Sequence, residues 1–304
     1  MHKANGKLLL TSEYYVLDGA LALAVPTRFG QQMKVEPTRD EGILLWKSYA
    51  VDGSCWFNAS FSLPDLLCLE SSDTEIAKTL HQFLTILLAA SPEKFSTKGG
   101  LSFSTYLDFP REWGLGTSST LIWMLAKWAD YDPYELLIET MGGSGYDIAC
   151  AGAEEPLLYT LENYEKRLVE LVHFEPPFSD QLYFVYQGKK QNSRSGITHY
   201  RMMVDDKQKE IARLTDITKE IINCKALNDF CRLITEHEAI IGAKLKLSIV
   251  KESYFEDFPG AIKSLGAWGG DFILVASELP EKEVRNYFNK KGLEVFFRYG
   301  EMVM

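Results

Sequence analysis

The chain is 304 residues long, 46% hydrophobic and 24% charged, the balance of a globular protein with room for two domains of ordinary size. Its formal net charge of -10 at pH 7 argues against a general binder of nucleic acid or of an anionic membrane, although a few local lysines can still attract an anionic small molecule. The cysteines are scattered without a C-x-x-C spacing and no apolar run is long enough for a membrane span, so the sequence reads as a cytoplasmic protein with free thiols.

In chain order, the first third is mainly strands and turns. "GKLLL" and "ALALAV" (Ala20 to Val25) are short apolar runs, and Asp18-Gly19 reads as a hairpin-type turn between them. The period then changes: Ser72 and Glu75 form a capping-box pattern, followed by Ile76, Leu80, Phe83, Leu84 and Leu87 at helical spacing. "LSFSTYL" from Leu101 returns to strand alternation. Leu121, Met124, Leu125 and Trp128 mark a buried helix, and Asp132-Pro133 caps another that stops at Gly142-Gly143. "LLYTL" and "LVELVHF" resemble paired strands. Pro176 to Asp180 reads as a linker, dividing the chain into residues 1–175 and 176–304. Beyond it come the strand "LYFVY", helices near Lys209–Asn223 and Leu227–Ala243, the strand "FILVA", a helix near Val284–Asn289 and the strand "EVFFRY". Strands and helices alternate without the regular repeat of a doubly wound sheet, which predicts α+β.

Four segments carry possible chemistry. In "WGLGTSSTLIWML" (Trp113 to Leu125), glycines allow close backbone approach and hydroxyls from Thr117 to Thr120 precede a helix whose free N–H groups favour an anion. No G-K-[ST] closes the loop, so it is not a Walker A motif, and a capped helix start explains the glycines equally well. In "GSGYDIACAG", Asp147 sits between a Gly-Ser-Gly turn and a small apolar segment. Desolvation there would raise its pKa unless a cation or hydrogen bonds hold it ionised, and a helix N-cap is the plainer reading. "GKLLLTSEYYVLDG" opens with Lys7, and "IKSLGAWGGDFILV" places Gly266, Gly269 and Gly270 before an apolar strand. Solvated lysine and ordinary glycine turn are the plainer readings of these two.

Together and in this order, the segments resemble the signature regions of the GHMP kinases, the superfamily of galactokinase, homoserine kinase, mevalonate kinase and phosphomevalonate kinase. "GKLLLTSEYYVL" is similar to the GKL…GEYAVL opening of the mevalonate branch, "WGLGTSST" to its YGLGSSG loop, "GSGYDIA" to GSGxDVA and "KSLGAWGGD" to KxSGAGGGD. The "GYDIA" string also resembles the marker of a bacterial subgroup.

The resemblance implies a two-domain α+β fold with ATP and substrate in the interdomain cleft, and a monomer or homodimer acting on a small molecule. ATP would lie along Gly114, Leu115, Gly116, Thr117, Ser118 and Ser119. Ser118 would bind Mg²⁺ with Glu135, or with Glu139 in the alternative register. Asp147 and Lys7 would be the catalytic pair. Glu13, Tyr14, Ser144, Gly145, Gly269 and Gly270 would lie against the substrate, as would Lys189 and Arg194 of "GKKQNSRSGI", which loosely resembles the TGxxAST loop of phosphomevalonate kinases. That last likeness favours phosphomevalonate as acceptor over mevalonate. A diphosphomevalonate decarboxylase or a silent nucleotide-binding protein are the alternatives. Ser12, Thr117 and Trp268 depart from the pattern, and Trp268, in place of a glycine, is expected to intrude where a ligand approaches.

Overall fold

A computed structural model describes residues 1–304 except 97, 164, 165, 190–192, 204, 205, 267 and 269, and except the side chains of Ser193, Arg194 and Met203. The elements run β1 (His2–Leu9), β2 (Ala22–Thr38), β3 (Ile43–Tyr49), β4 (Cys55–Ser62), β5 (Cys68–Ser71), α1 (Thr74–Ala90), α2 (Pro92–Phe95), β6 (Gly100–Leu107), α3 (Thr117–Trp128), α4 (Pro133–Thr140), α5 (Tyr146–Ala151), β7 (Leu157–Leu161) and β8 (Arg167–Leu171). They continue with β9 (Leu182–Tyr186), α6 (Ser193–Met203), α7 (Gln208–Ile222), α8 (Leu227–Leu245), α9 (Val250–Tyr254), β10 (Ala261–Ser264), β11 (Phe272–Ala276), α10 (Glu281–Lys290), β12 (Phe296–Arg298) and α11 (Tyr299–Met302). The fold is α+β. Among the described residues no helix is long and apolar enough to cross a membrane, and all the cysteines are free.

Contacts divide the chain into two compact units, each assembled from several stretches. The first comprises Met1–Gly6, Phe29–Arg111 and Leu115–Gly152. Its strands lie in the order β5-β4-β3-β6-β2, antiparallel except for the parallel pair β3 and β6. Alternation sends Leu44, Trp46 and Phe103 inward, and the Trp46 and Phe103 rings stack at 5.1 Å. Trp46 Nε1 donates to Ser48 Oγ at 2.9 Å, so the buried indole keeps a polar partner. Ala77, Leu80, Phe83, Leu84 and Leu87 of α1 join Ile122, Met124 and Leu125 of α3 in the same core. Asp73, not Ser72, caps α1: its carboxylate accepts the N–H groups of Glu75 and Ile76.

The second unit comprises Lys7–Arg28, Glu112–Gly114 and Ala153–Met304. Here the start of β2 pairs with β7 and β7 with β8, all antiparallel, and a second antiparallel sheet has the order β10-β11-β9-β12. β11 is buried along its whole length, which is why "FILVA" shows no alternation. Helix α8 buries Leu227, Phe230, Ile234, Ile241 and Leu245 on one stripe, and His237 and Glu238 fall on that stripe.

Three expectations are corrected. Asp18 ends a 3-10 turn (Tyr15–Asp18) closed by Gly19 at φ 90, so Asp18-Gly19 is a helix stop rather than a hairpin turn. Pro176–Asp180 runs inside the second unit and leads into a short 3-10 turn, not between the units. The segment following Lys189 is not all loop, because α6 begins at Ser193.

Candidate active site

In the first unit, Gly116 at φ 95 is the N-cap of α3 and provides no side chain to satisfy the first turn. Ser118 is exposed and Thr117 partly so, both on that first turn. Ser119 and Thr120 are buried and their hydroxyls are committed inward, Ser119 Oγ to Gly116 O at 2.8 Å and Thr120 Oγ1 to Gln31 Oε1 at 2.7 Å. Of the hydroxyls expected along the nucleotide, only those of Thr117 and Ser118 are therefore available outward. Leu115 is fully buried, so only its backbone could face a ligand.

Asp147 lies in the first turn of α5, two residues past a Gly142–Gly145 loop whose Gly142, Gly143 and Gly145 have φ of 65, 111 and 86. Gly145 holds the N-cap position, and Asp147 Oδ1 accepts the Ile148 N–H at 3.0 Å. Ser144 is half-buried beside it. α5 packs on α3 closely enough that a Cβ on Gly152 would lie 2.1 Å from the Trp123 ring.

Glu135 and Glu139 are both exposed on α4, and Tyr131 Oη donates to Glu139 Oε1 at 2.7 Å. That bond leaves Glu135 the less encumbered carboxylate. Among the described residues no group of three His, Cys, Asp or Glu forms a metal centre. One hydroxyl with one carboxylate is nonetheless a donor set suited to Mg²⁺, which keeps several waters and takes phosphate oxygens rather than an all-protein cage.

In the second unit, Lys7 Nζ donates to Gly114 O at 2.9 Å. Gly114 has φ 69, and a Cβ there would sit 2.5 Å from the Asp271 carboxylate carbon. Asp271 is itself at φ 54, its N–H donating to Lys189 O at 2.7 Å and its carbonyl accepting the Gln187 N–H at 2.9 Å. Gln187 Nε2 also reaches Gly270 O at 2.9 Å, which ties the third glycine segment to the end of β9. Trp113 packs edge-on against Phe272 and Phe297 at 5.7 and 5.3 Å, and Tyr186 Oη donates to Glu112 O at 2.9 Å. The entry to the glycine loop is thus held by Lys7, Asp271, Tyr186 and an aromatic box.

Two residues expected against the substrate, Glu13 and Tyr14, are buried. Glu13 is 1% exposed, and its carboxylate is paired with the equally buried Lys263. Tyr14 is buried, stacks on Tyr200 at 5.8 Å and bonds to the Trp268 backbone, and burial pushes its hydroxyl up to about 12. A Cβ on Gly196 would lie 2.6 Å from Tyr14 Oη, so glycine is what lets α6 approach this ring. Trp268 does not protrude: its indole is 8% exposed within a cluster of Tyr14, Tyr15, Tyr200, Ile241 and Leu245. Ser12, where the resembled motif has glycine, adopts φ 63. Lys189 is exposed. Gly269 and the Arg194 side chain lie outside the described residues, as do Lys190 and the Ser193 side chain.

Asp271, Lys263, His237 and Glu238 are not among the candidate site residues of the sequence motifs. Asp271 was signalled by a carboxylate directly after Gly-Gly, and the α8 pair by two polar residues on an apolar stripe.

No family model and no curated protein matches the sequence. Solved structures do. Streptococcus pneumoniae phosphomevalonate kinase, in complex with phosphomevalonate and AMPPNP, superimposes with a TM-score of 0.71 over 98% of this chain and 99% of its own, at 16% identity. Methanococcus jannaschii mevalonate kinase gives 0.69 over 97% and 96%, also at 16% identity. Lactococcus lactis galactokinase, complexed with galactose, gives 0.65 over 99% and 92% at 12% identity. Over nearly its whole length, therefore, this chain has the fold of the GHMP kinases, with mevalonate and phosphomevalonate kinases among the structures it resembles.

Proposed function

We propose that the protein is an ATP-dependent small-molecule kinase whose acceptor is an anionic metabolite of the mevalonate pathway, phosphomevalonate before mevalonate. The observation that carries this reading is the uncapped first turn of α3, entered through left-handed Gly114 and Gly116 and carrying outward Thr117 and Ser118, in a chain with this fold. Such a turn offers unpaired N–H groups and the positive end of the helix dipole to phosphate oxygens.

Phosphoryl transfer asks chiefly for alignment and charge neutralisation. Thr117, Ser118 and the α3 N–H groups would bind the nucleotide phosphates, and Lys7 would neutralise charge on the transferred group. Ser118 and Glu135 would hold Mg²⁺, which would supply neutralisation of phosphate charge. Asp147 would take the acceptor proton if the acceptor is an alcohol; a phosphate acceptor is already ionised at neutral pH, and Asp147 would then only orient it. Ser144, Gly145, Lys189 and Gly270 would line the acceptor side. The basic segment beginning at Lys189, whose carbonyl is tied to Asp271, supports an acceptor that already bears phosphate.

The test is Mg²⁺-dependent ATP turnover with phosphomevalonate, mevalonate, homoserine and galactose, wild type beside Asp147→Asn. Turnover with phosphomevalonate that partly survives the substitution is expected. Turnover with mevalonate alone, abolished by it, moves the enzyme one step earlier and makes Asp147 a base. No turnover with any acceptor overturns the kinase reading, and CO₂ release from diphosphomevalonate would replace it with a decarboxylase.

A further inference from the structure

Inside the second unit lies a buried polar cluster that the chemistry above does not use. Lys263, on β10, is 0% exposed; its ammonium pairs with Glu13 and donates to Ser264 O at 2.9 Å. His237 and Glu238, adjacent on α8, are buried against it. His237 Nε2 accepts the Ser12 N–H at 2.7 Å and lies 3.5 Å from Glu13 Oε2. Because Nε2 accepts, the imidazole is the neutral tautomer protonated at Nδ1. Glu238 accepts the Ser264 N–H at 3.1 Å and the Ser264 hydroxyl at 2.8 Å.

Burying ionisable groups carries a desolvation penalty. An apolar pair at 237 and 238 would continue the α8 stripe without that penalty. What the polar pair adds is a set of bonds to two backbone segments. The first is the turn around Glu13, where Ser12 and Tyr14 have φ of 63 and 66. Such conformations are strained for residues that carry a Cβ and persist where the surroundings over-determine them. Here Ser12 is held by His237 and, through its hydroxyl, by Leu21 O at 2.7 Å. The second is Ser264, the last residue of β10, seven residues before Asp271, whose carboxylate lies against Gly114.

We propose that His237 and Glu238 are positioning residues for the transfer, one fixing the Ser12–Tyr14 turn and the other fixing Ser264, with the Glu13–Lys263 pair joining the two. This rests on the kinase reading. The groups facing Glu238 are Lys263 and Ser264 from β10, Glu13 from the turn and His237 beside it on α8. Burial pushes its carboxyl up to about 7; Lys263 and the Ser264 bonds oppose that, and the Glu13 charge adds to it. The ionised carboxylate, the stronger acceptor for Ser264, is therefore present above about pH 7 and lost below it. Burial, then Lys263, hold His237 well below the usual range, so it stays a neutral acceptor throughout.

The experiment combines kinetics from about pH 5.5 to about pH 8.5 with hydrogen exchange at the Ser12 and Ser264 amides, corrected for intrinsic rates. It compares wild type, Glu238→Gln, His237→Gln and His237→Leu. Glu238→Gln should show at pH 8 the kcat that wild type shows at pH 6, roughly three- to tenfold lower, with the KM for ATP changed less than about twofold. It should also lose the wild-type inflection near neutrality and exchange faster at Ser264. His237→Leu should speed Ser12 exchange about tenfold and lower kcat, while His237→Gln, which keeps an acceptor, should not. A purely structural role would lower the melting temperature without moving the inflection. An unchanged kcat and pH profile in Glu238→Gln, or unchanged exchange at both amides, overturns the proposal. If wild type turns over no acceptor, the kinase reading has failed, and the exchange data alone decide whether the pair holds the two segments.

Discussion

Replacing Lys263 with methionine removes the ammonium paired with Glu13 while roughly conserving side-chain length, and the structure sets the size of the effect. Glu13 is 1% exposed, and its Oε2 has no hydrogen-bond partner among the described residues, so the carboxylate cannot turn to water when Lys263 is lost. Burial already pushes the Glu13 carboxyl up, against the opposing pull of Lys263. Without the lysine it rises further, and the cheapest response at pH 7 is to take up a proton. Protonating a group whose unfolded value is 4.5 costs about 1.4 kcal/mol for each pH unit above that value, or about 3 kcal/mol at pH 7. That agrees with the roughly 3–5 kcal/mol found when one partner of a buried pair is removed. The sign follows from linkage. A carboxyl raised in the folded state contributes stability that is fully present below its unfolded pKa and is lost as pH rises through the folded one. Lys263→Met should therefore cost about 3 kcal/mol at pH 7, about 2 kcal/mol at pH 6 and little from this source near pH 4.5. Urea denaturation at the three pH values measures it, and Glu13→Gln combined with Lys263→Met should recover most of the loss at pH 7. A loss below about 1 kcal/mol at pH 7, or one independent of pH, refutes the reasoning.

Gly114→Ala forces a side chain into φ 69 and a Cβ to 2.5 Å from the Asp271 carboxylate carbon, so about 1–2 kcal/mol of backbone strain adds to displacement of Asp271. ATP turnover should fall at least about tenfold, and Asp271→Gly in the same chain should recover part of it; wild-type kinetics for the single variant would contradict the packing described. Trp268→Ala should cost about 3–5 kcal/mol in denaturant unfolding because the indole is core, and a loss under about 1 kcal/mol would return it to the surface. Between about pH 4.5 and about pH 7, the raised Glu238 carboxyl makes stability fall with rising pH, by up to about 3 kcal/mol in total; Glu238→Gln should flatten that slope, and an unaltered slope would assign it to another group.

Local chemistry made much of this protein legible in its sequence. Periodicity located α1, α3, α7 and α8, because an apolar stripe must recur every three or four residues to face a core. Asp132-Pro133 marked the start of α4, since that carboxylate caps Tyr134 and Glu135 and proline lacks only an N–H the helix leaves unpaired. The glycine loop announced its left-handed backbone. Where several local solutions compete, sequence was insufficient: Asp73 outcompeted Ser72 as the cap of α1, and Gly19 closed a 3-10 turn rather than a hairpin.

Only the tertiary structure decided which of the adjacent hydroxyls face outward, because burial of Ser119 and Thr120 depends on Gln31 and the α3 backbone they bond to. Only it turned Trp268 inward and matched Gly196 to Tyr14. The Glu13–Lys263 pair and its α8 partners join positions about 225 and 250 residues apart in the chain. Spacing in a sequence records contacts one turn or one strand away. A buried charge is tolerable only when a distant segment supplies its partner, and that information exists only in the folded chain.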